Sequence, residues 1–183
     1  MAFNGTFSKL SIDERQSLLD SGTVRRFKSG ELIISQGIVL QGIFVVTKGE
    51  VRVEHSVRVV KKTKIKTKDG ATKTKQEAGR LSVEVTRLGR GAIFGEMSFV
   101  DDAPTSASVA AIGDVETVFI DTAQMNERLD IEPGFGKRFF HSLAVELSKR
   151  LREANKRARG GQLRGTAQGV RPPRLKVKSR VKS

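Results

Sequence analysis

The stretch Ile93-Phe94-Gly95-Glu96-Met97-Ser98-Phe99-Val100-Asp101-Asp102-Ala103-Pro104-Thr105-Ser106-Ala107-Ser108-Val109 decides the fold of this 183-residue chain. Its chemistry suits a ligand that carries an anion beside a sugar. Gly95 lets the backbone approach a ligand closely, and the amides of the turn after Glu96 favour an anion. A carboxylate accepts hydrogen bonds from sugar hydroxyls, and serine and threonine offer neutral donors. The candidate ligand-binding residues are Gly95, Glu96, Met97, Ser98, Thr105 and Ser106.

Upstream of this stretch, the sequence pattern indicates one helix followed by short strands. Ser11 and Glu14 form a capping box, and Gly22 suits the left-handed position after a helix, so residues 11–21 are predicted to be helical. Strand-like runs follow at 24–27, 32–35, 43–47 and from 51 onward. The turns between them contain glycine, and this spacing is typical of an antiparallel sandwich or barrel.

Downstream, the pattern returns from strands to helices. Strands are predicted at 81–88, 106–111 and 115–121, and a short helix capped by Thr122 at 123–129. A longer helix is predicted to start at Pro133, which favours a first turn, and to end at Gly160-Gly161. Its apolar residues recur at helical spacing from Phe135 to Ala154.

Two further segments are informative: Gly30-Glu31-Leu32-Ile33-Ile34-Ser35-Gln36-Gly37 and Phe44-Val45-Val46-Thr47-Lys48-Gly49-Glu50-Val51. Together with residues 93–109, they resemble the cyclic nucleotide-binding domain family. The resemblance covers residues 7–158 apart from an insertion. It implies a mainly β fold: an antiparallel, jelly-roll-like β-roll with an N-terminal helix and C-terminal hinge and lid helices, the lid at 136–158.

The resemblance also implies roles for two residues of the stretch 93–109, which we call the cassette because it resembles the phosphate-binding cassette of that family. Glu96 would hold the ribose 2′-hydroxyl of a cyclic nucleotide. Thr105 stands where the family has an arginine that pairs with the cyclic phosphate, and neutral hydrogen bonds are weaker than charge-assisted ones. We therefore expect binding to be weakened roughly tenfold to a hundredfold. The alternative is that the cassette only preserves a buried turn and has lost its ligand.

The net charge of +14 is concentrated in two segments. Residues 57–80 hold nine basic and two acidic residues, and residues 160–183 hold seven basic residues and no acidic one, so each segment carries +7. Basic segments on a neutral core attract nucleic acid, anionic membrane or an acidic protein, although such blocks also serve as solubilising tails. The candidate polyanion contacts are Lys62, Lys64, Lys66, Lys68, Lys73, Lys75, Arg171, Arg174, Lys176 and Lys178.

The first basic segment is predicted to be an elongated β-hairpin inserted at 57–80 within a domain that spans 1–158. A three-residue turn at Lys68-Asp69-Gly70 pairs Val53 with Val85, His55 with Val83 and Val57 with Leu81, which places apolar residues opposite each other. A two-residue turn would instead oppose Val53 to Thr86. Residues 159–183, which include the second basic segment, are predicted to be a disordered tail.

Composition excludes several functional classes. The chain has no cysteine, which removes disulfides and thiol chemistry, and its two histidines lie far apart, so neither a metal nor a cofactor is expected. No run is apolar enough for a transmembrane segment and no signal peptide is recognisable, which predicts a cytoplasmic protein. Because no nucleophile and base stand together, an enzyme is not expected.

Two functions remain open from the sequence. The first is a regulatory or sensor module that binds a cyclic nucleotide weakly or another anionic ligand, with the lid helix transmitting occupancy or forming a homodimer. The second is a ligand-free adaptor whose basic hairpin and tail bind nucleic acid, anionic membrane or an acidic protein.

Overall fold

A computed structural model describes residues 6–66 and 72–165, apart from the side chains of residues 61–66, 72–77, 80, 158 and 160–165. The chain divides into two compact units between Leu143 and Ala144. The first unit contains the sheet and every predicted ligand-binding residue, and the second contains the later part of the last helix. The predicted turn at Lys68 lies outside the described residues, as does the predicted tail from residue 166 onward.

The elements follow the predicted order of a helix, a β-roll and C-terminal helices. In chain order they are α1 (Ile12–Asp20), β1 (Thr23–Phe27), β2 (Leu32–Ile34), β3 (Gly42–Lys66), β4 (Thr72–Leu88), β5 (Ile93–Phe94), α2 (Glu96–Asp101), β6 (Ser108–Asp121), α3 (Thr122–Ile131) and α4 (Phe135–Gly165). The strands form one curled antiparallel sheet in the order β1-β6-β3-β4, with β2 paired to β6 and β5 to β3.

Alternating side chains of β3 serve two hydrophobic cores. Ile43 and Val45 pack with the helices in one cluster, and Phe44 and Val46 lie on the opposite face in the other. Successive side chains of a strand point to opposite faces, so one apolar run supplies both cores. The helical cluster also contains Phe7, Leu10, Leu18, Ile93, Val118, Ile120, Met125, Phe135, Phe139 and Leu143. The cluster inside the roll also contains Ile34, Val51, Leu88, Phe94, Val109, Ala111 and Val115.

Several predicted boundaries are wrong. Asp121 and not Thr122 is the N-cap of α3, and α4 begins at Phe135 instead of Pro133. The strands predicted on either side of Lys48-Gly49 form the single strand β3, because register shifts around Lys48 absorb the turn residues without ending the pairing. The two strands predicted in 106–121 are likewise one, β6. The last helix passes through Gly160-Gly161 to Gly165, since glycine costs a helix only about 1 kcal/mol.

The hairpin register is confirmed in its outer part and wrong at its base. His55 pairs with Val83 and Val57 with Leu81, as a three-residue turn predicts, but Val53 pairs with Thr86. The register shifts between Val53 and Glu54, so that Val85 is the extra residue of a β-bulge. Both registers considered from the sequence therefore occur, one on each side of the bulge.

The predicted capping box of α1 is confirmed, and its glutamate has a second role. The Glu14 carboxylate accepts from the Ser11 amide at 2.7 Å and also pairs with the Arg138 guanidinium at the start of α4. This hydrogen bond from Arg138 is the main reason that the pKa of Glu14 lies below its ordinary value of 4.5. Gly22, by contrast, is not left-handed. A Cβ there would lie 2.3 Å from Val118, so close approach to β6 explains the glycine.

The pair between Glu14 and Arg138 predicts a pH-dependent loss of stability in Glu14→Gln, which can still form a capping box. A carboxylate whose pKa is lowered by folding stabilises the protein above 4.5, and that contribution disappears as the pH falls through the lower folded value. We expect the melting temperature at pH 7 to drop by about 1–4 °C, with the difference vanishing in acid. Glu153→Gln, which removes an exposed pair with Arg157 at 3.8 Å, is the control. A difference for Glu14→Gln that is independent of pH would contradict this role.

Candidate functional site

The candidate site begins where β5 passes into α2. Gly95 has a left-handed φ of 83° at the N-cap of α2, and a Cβ there would lie 2.4 Å from Leu40. Only glycine combines this conformation with this close approach without strain. The tight turn places Glu96 at the first position of α2, where its side chain is buried and only 4% exposed. The segment thus holds a buried carboxylate beside the amides of a helix N-terminus.

Thr105 ties the end of the cassette to the loop between β2 and β3. Its hydroxyl donates to the Ser35 carbonyl at 2.7 Å and accepts from the Ile38 amide at 3.2 Å. Its backbone amide donates to the Ile38 carbonyl and its carbonyl accepts from the Gly37 amide, both at 2.7 Å. We call these four hydrogen bonds the Thr105 latch. Thr105 is 8% exposed, so both the backbone and the side chain of this residue are used in holding the loop.

Ser98 reinforces the same connection from inside α2. Its hydroxyl accepts from the Leu40 amide at 3.2 Å and donates to the Ala103 carbonyl at 2.7 Å. The side chain is buried, and these two bonds satisfy its donor and one acceptor position. Ser98 therefore positions the β2–β3 loop in this structure, where the sequence had suggested contact with a ligand.

Met97 and Ser106 form the accessible part of the site. Met97 is 49% exposed, and the Ser106 hydroxyl, also exposed, lies 4.0 Å from the Met97 sulfur. The structure thus places all six predicted residues around α2, where they have three different roles. Gly95, Ser98 and Thr105 hold the backbone, Glu96 is buried, and Met97 and Ser106 face solvent.

The electrostatics of the cassette are acidic. Residues 93–109 include Glu96, Asp101 and Asp102 and no basic residue. Asp101 accepts from the Ala103 amide at 3.1 Å, which shapes the turn after α2. A phosphate entering here would meet amides and hydroxyls but no cation from this segment, which weakens anion binding relative to a charge-assisted site.

Sequence reasoning missed the β2–β3 loop as the partner of the cassette. The signal was present in Gln36-Gly37, since Gly37 has a φ of 87° and turns the loop toward Thr105. It also missed an aromatic group inside the roll, where Phe44 stacks on Phe94 with ring centroids 5.0 Å apart. The Arg25 guanidinium lies 4.0 Å from the Phe119 ring at this group.

The predicted polyanion contacts occupy two places in the chain. Lys62, Lys64 and Lys66 lie in β3, and Lys73 and Lys75 lie in the paired part of β4, opposite Ile65 and Thr63. Their backbones form one ribbon, but their side chains lie outside the described residues. Lys68, Arg171, Arg174, Lys176 and Lys178 lie outside them entirely.

A groove of 210 Å³ lies between the end of β1 and the middle of β6, and its lining includes none of the predicted site residues. Its cations are largely neutralised, since Arg26 pairs with Glu116 at 2.9 Å and Lys28 with Asp114 at 3.0 Å. Within residues 6–66 and 72–165, no helix has the length and apolarity needed to span a membrane. The same residues contain no group of three acidic or histidine side chains arranged for a metal ion.

Comparison with known proteins gives consistent matches. Residues 24–131 match the profile of the cyclic nucleotide-binding domain family. The chain is 31% identical over 122 residues to the cAMP-dependent protein kinase regulatory subunit of Mycosarcoma maydis, covering 67% of this chain and 19% of that protein. It is 28% identical over 152 residues to the cyclic AMP receptor protein of Thermus thermophilus, covering 81% of this chain and 58% of that protein. The chain therefore spans only part of the relatives that it matches.

Solved structures show the same architecture. The catabolite activator protein of Thermus thermophilus superposes with a TM-score of 0.58 at 26% identity, covering 83% of this chain and 60% of that one. A cyclic nucleotide-binding domain from Methylobacillus flagellatus superposes with a TM-score of 0.61 at 22% identity, covering 81% and 72%. The curled antiparallel sheet with its N-terminal and C-terminal helices is thus the fold of cyclic nucleotide-binding domains.

The Thr105 latch predicts that removing the Thr105 hydroxyl destabilises the domain far more than removing the adjacent Ser106 hydroxyl. Thr105→Val keeps the side-chain volume but leaves the Ile38 amide and the Ser35 carbonyl without this partner, so the free energy of unfolding should fall by about 1–3 kcal/mol. Ser106→Ala, at an exposed position, should change it by less than about 0.5 kcal/mol. Urea denaturation of both variants measures the contrast. Equal effects would show that the latch does not stabilise the domain.

Proposed function

The chain belongs to the cyclic nucleotide-binding domain family, and on that premise we propose that it is a non-enzymatic regulatory or sensor module whose cassette binds a cyclic nucleotide weakly or accepts another anionic ligand. The observation that carries this proposal is the pairing of left-handed Gly95 with buried Glu96 at the start of α2. A carboxylate accepts hydrogen bonds from the ribose hydroxyls of a cyclic nucleotide, and the N-terminus of a helix favours its phosphate. Domains of this family are regulatory and typically non-catalytic.

We propose weak binding because residues 93–109 offer the phosphate no basic side chain. Thr105 occupies the position that the family resemblance gives to the phosphate-binding arginine, and its hydroxyl already serves the Ser35 carbonyl and the Ile38 amide. Ser106 and the amides of α2 are then the groups left to the phosphate. Neutral donors contribute about 1 kcal/mol each, against about 1.5–3 for charge-assisted ones.

The names of the relatives support a regulatory role, and they include both a kinase subunit and a receptor protein. One is a regulatory subunit of a cAMP-dependent protein kinase and another a cyclic AMP receptor protein. A cytoplasmic location is part of the same proposal. We further propose that α3 and the lid segment 136–158 transmit occupancy of the cassette, as the family resemblance implies.

A homodimer through the later part of α4 belongs to this proposal. Leu147, Leu151 and Ala154 recur there at helical spacing, and Leu151 is 62% exposed. An exposed apolar stripe on a helix is stabilised when a second helix covers it. The ion pairs of Glu146 with Arg150 and of Glu153 with Arg157 lie along the same helix.

Restoring an arginine tests the role of the cassette. Thr105→Arg should tighten the binding of cyclic AMP or cyclic GMP by roughly one to two decades, because it adds a charge-assisted bond to the phosphate. Isothermal titration calorimetry on both proteins measures the change. Thr105→Val, which removes the hydroxyl without adding charge, is the matched control and should bind no more tightly than the wild type. Tight wild-type binding with no gain from Thr105→Arg would refute the assigned role of this position.

The concentration of charge favours a second candidate function, binding to a polyanion or an acidic protein. The segments 57–80 and 160–183 each carry +7, and the rest of the chain is neutral. A basic appendage on a neutral domain attracts anionic partners independently of the cassette. Binding of this kind depends steeply on salt, because each neutralised phosphate releases counterions.

Salt dependence tests this candidate. Replacing Lys62, Lys64, Lys66 and Lys68 with Gln should reduce the slope of log affinity against log salt concentration on duplex DNA by up to about four. Sequence preference should not change, since phosphate contacts carry none. The same change at the exposed lysines Lys9, Lys48, Lys137 and Lys149 is the matched control, and removal of residues 166–183 tests the tail. If the wild type binds neither DNA nor anionic vesicles at low salt, the basic segments have another role.

A further inference from the structure

The hairpin of β3 and β4 extends beyond the rest of the sheet and leaves one edge of β3 open. The neighbouring strand β6 begins at Ser108, which pairs with Glu54, so β3 has no strand on that side from residue 56 to residue 66 among the described residues. Gln36 occupies the point where β6 begins. Its amide donates to the Ser108 hydroxyl at 3.0 Å, and its side-chain oxygen accepts from the Ser56 amide at 2.8 Å.

The Ser56 contact fixes the direction of the remaining amides. Since the Ser56 N–H points away from β4, and alternate amides of a strand point to the same edge, the N–H groups of Arg58 and Val60 point to the open edge as well. The register with β4 is continuous from Glu54 to Lys66, so this order extends along the strand. The open edge therefore presents donors and carbonyl acceptors in regular alternation.

Near its base, the hairpin has one face that is apolar and exposed. Directly paired residues lie on the same face of an antiparallel ribbon, so Val57 and Leu81 share a face with Val59 and Val83. Val59, Leu81 and Val83 are 39%, 53% and 45% exposed. Arg58 belongs to the opposite face, since its neighbours Val57 and Val59 lie on the apolar one.

These features together identify a kind of partner. We infer that the open edge of β3 binds an extended polypeptide segment in which acidic and apolar residues alternate, added as a further strand of the sheet. Its backbone would satisfy both the donors and the acceptors of the edge. Its apolar side chains would lie beside Val57 and Val59, and its acidic ones on the face of Arg58. This deepens the second function proposed above, from which it takes the acidic partner.

Charge and composition disfavour the other occupants. A second copy would bring one +7 hairpin against another, and lysines on an edge strand are a known defence against self-pairing. Nucleic acid offers phosphate acceptors but no donors in register with the carbonyls. An anionic membrane usually engages interfacial aromatic residues, and residues 56–88 contain none. The outer edge of β4 is interrupted by the bulge at Val85, whereas β3 pairs with β4 without a register shift from Glu54 to Lys66.

Fluorescence anisotropy with the full-length protein tests the inference. The probe is a labelled, end-blocked ten-residue peptide of alternating Glu and Val, and the control is a peptide of five Glu followed by five Val, which has equal charge and composition. The alternating peptide should bind at least tenfold more tightly than the block peptide.

Two protein variants separate strand addition from attraction between charges. Val60→Pro removes an N–H from the open edge without removing a hydrogen bond to β4, and edge strands tolerate such a proline. The variant should bind the alternating peptide at least tenfold more weakly than the wild type. Val60→Thr keeps the amide and should bind within about twofold of the wild type, since a strand accommodates threonine. Melting temperatures of both variants verify that the fold is retained.

The apolar face gives an independent measurement if Val60→Pro proves unstable. Val59→Thr combined with Leu81→Thr should weaken the alternating peptide about threefold to tenfold and leave the block peptide unchanged. Equal binding of the two peptides, or no effect of either variant, would overturn the inference and leave only charge attraction. Binding to duplex DNA or phosphatidylserine vesicles that exceeds binding to the peptide would overturn it in favour of those partners. Titration with cyclic AMP reports on the cassette separately.

Discussion

The pairing of β3 with three other strands is the constraint on which the rest of the structure depends. A single strand from Gly42 to Lys66 pairs with β6 and β5 near its beginning and with β4 from Val51 onward. Because its side chains alternate between two faces, Ile43 and Val45 anchor the helical cluster while Phe44 and Val46 anchor the interior of the roll. A shift of one residue would exchange the two cores, so the register of β3 determines where the cassette lies.

The cassette is held by hydrogen bonds that in this structure serve the protein itself. The Thr105 latch and the Ser98 hydroxyl fasten the β2–β3 loop to the turns before and after α2. Buried polar groups need partners, and these two side chains find them in backbone amides and carbonyls. These bonds fix the shape of the cassette, and residues 93–109 contain no basic side chain.

Charge and backbone geometry come together in the hairpin. The base of the hairpin is fixed by the sheet, by the Val85 bulge and by the hydrogen bond from Ser82 to Glu54 at 2.9 Å. Most of the positive charge of the hairpin lies beyond this base, in the part where β3 is no longer paired with β6. An open strand edge is usually a risk for aggregation, and positive charge near the edge limits that risk.

The sequence by itself determined the order of elements and the capping box of α1, because both rest on local periodicity and capping residues. The β-roll and the position of the cassette came from the resemblance of residues 30–37, 44–51 and 93–109 to the family. The sequence also predicted the pairing of His55 with Val83. Tertiary structure alone decided that β3 and β6 run without a break, that Val85 is bulged, and that Thr105 and Ser98 hold the β2–β3 loop. Pairing between strands can absorb a turn residue, and a hydroxyl can bond to any backbone group that the fold brings near. Neither choice is encoded in neighbouring residues, which is why the roles of these side chains could not be read from the cassette motif.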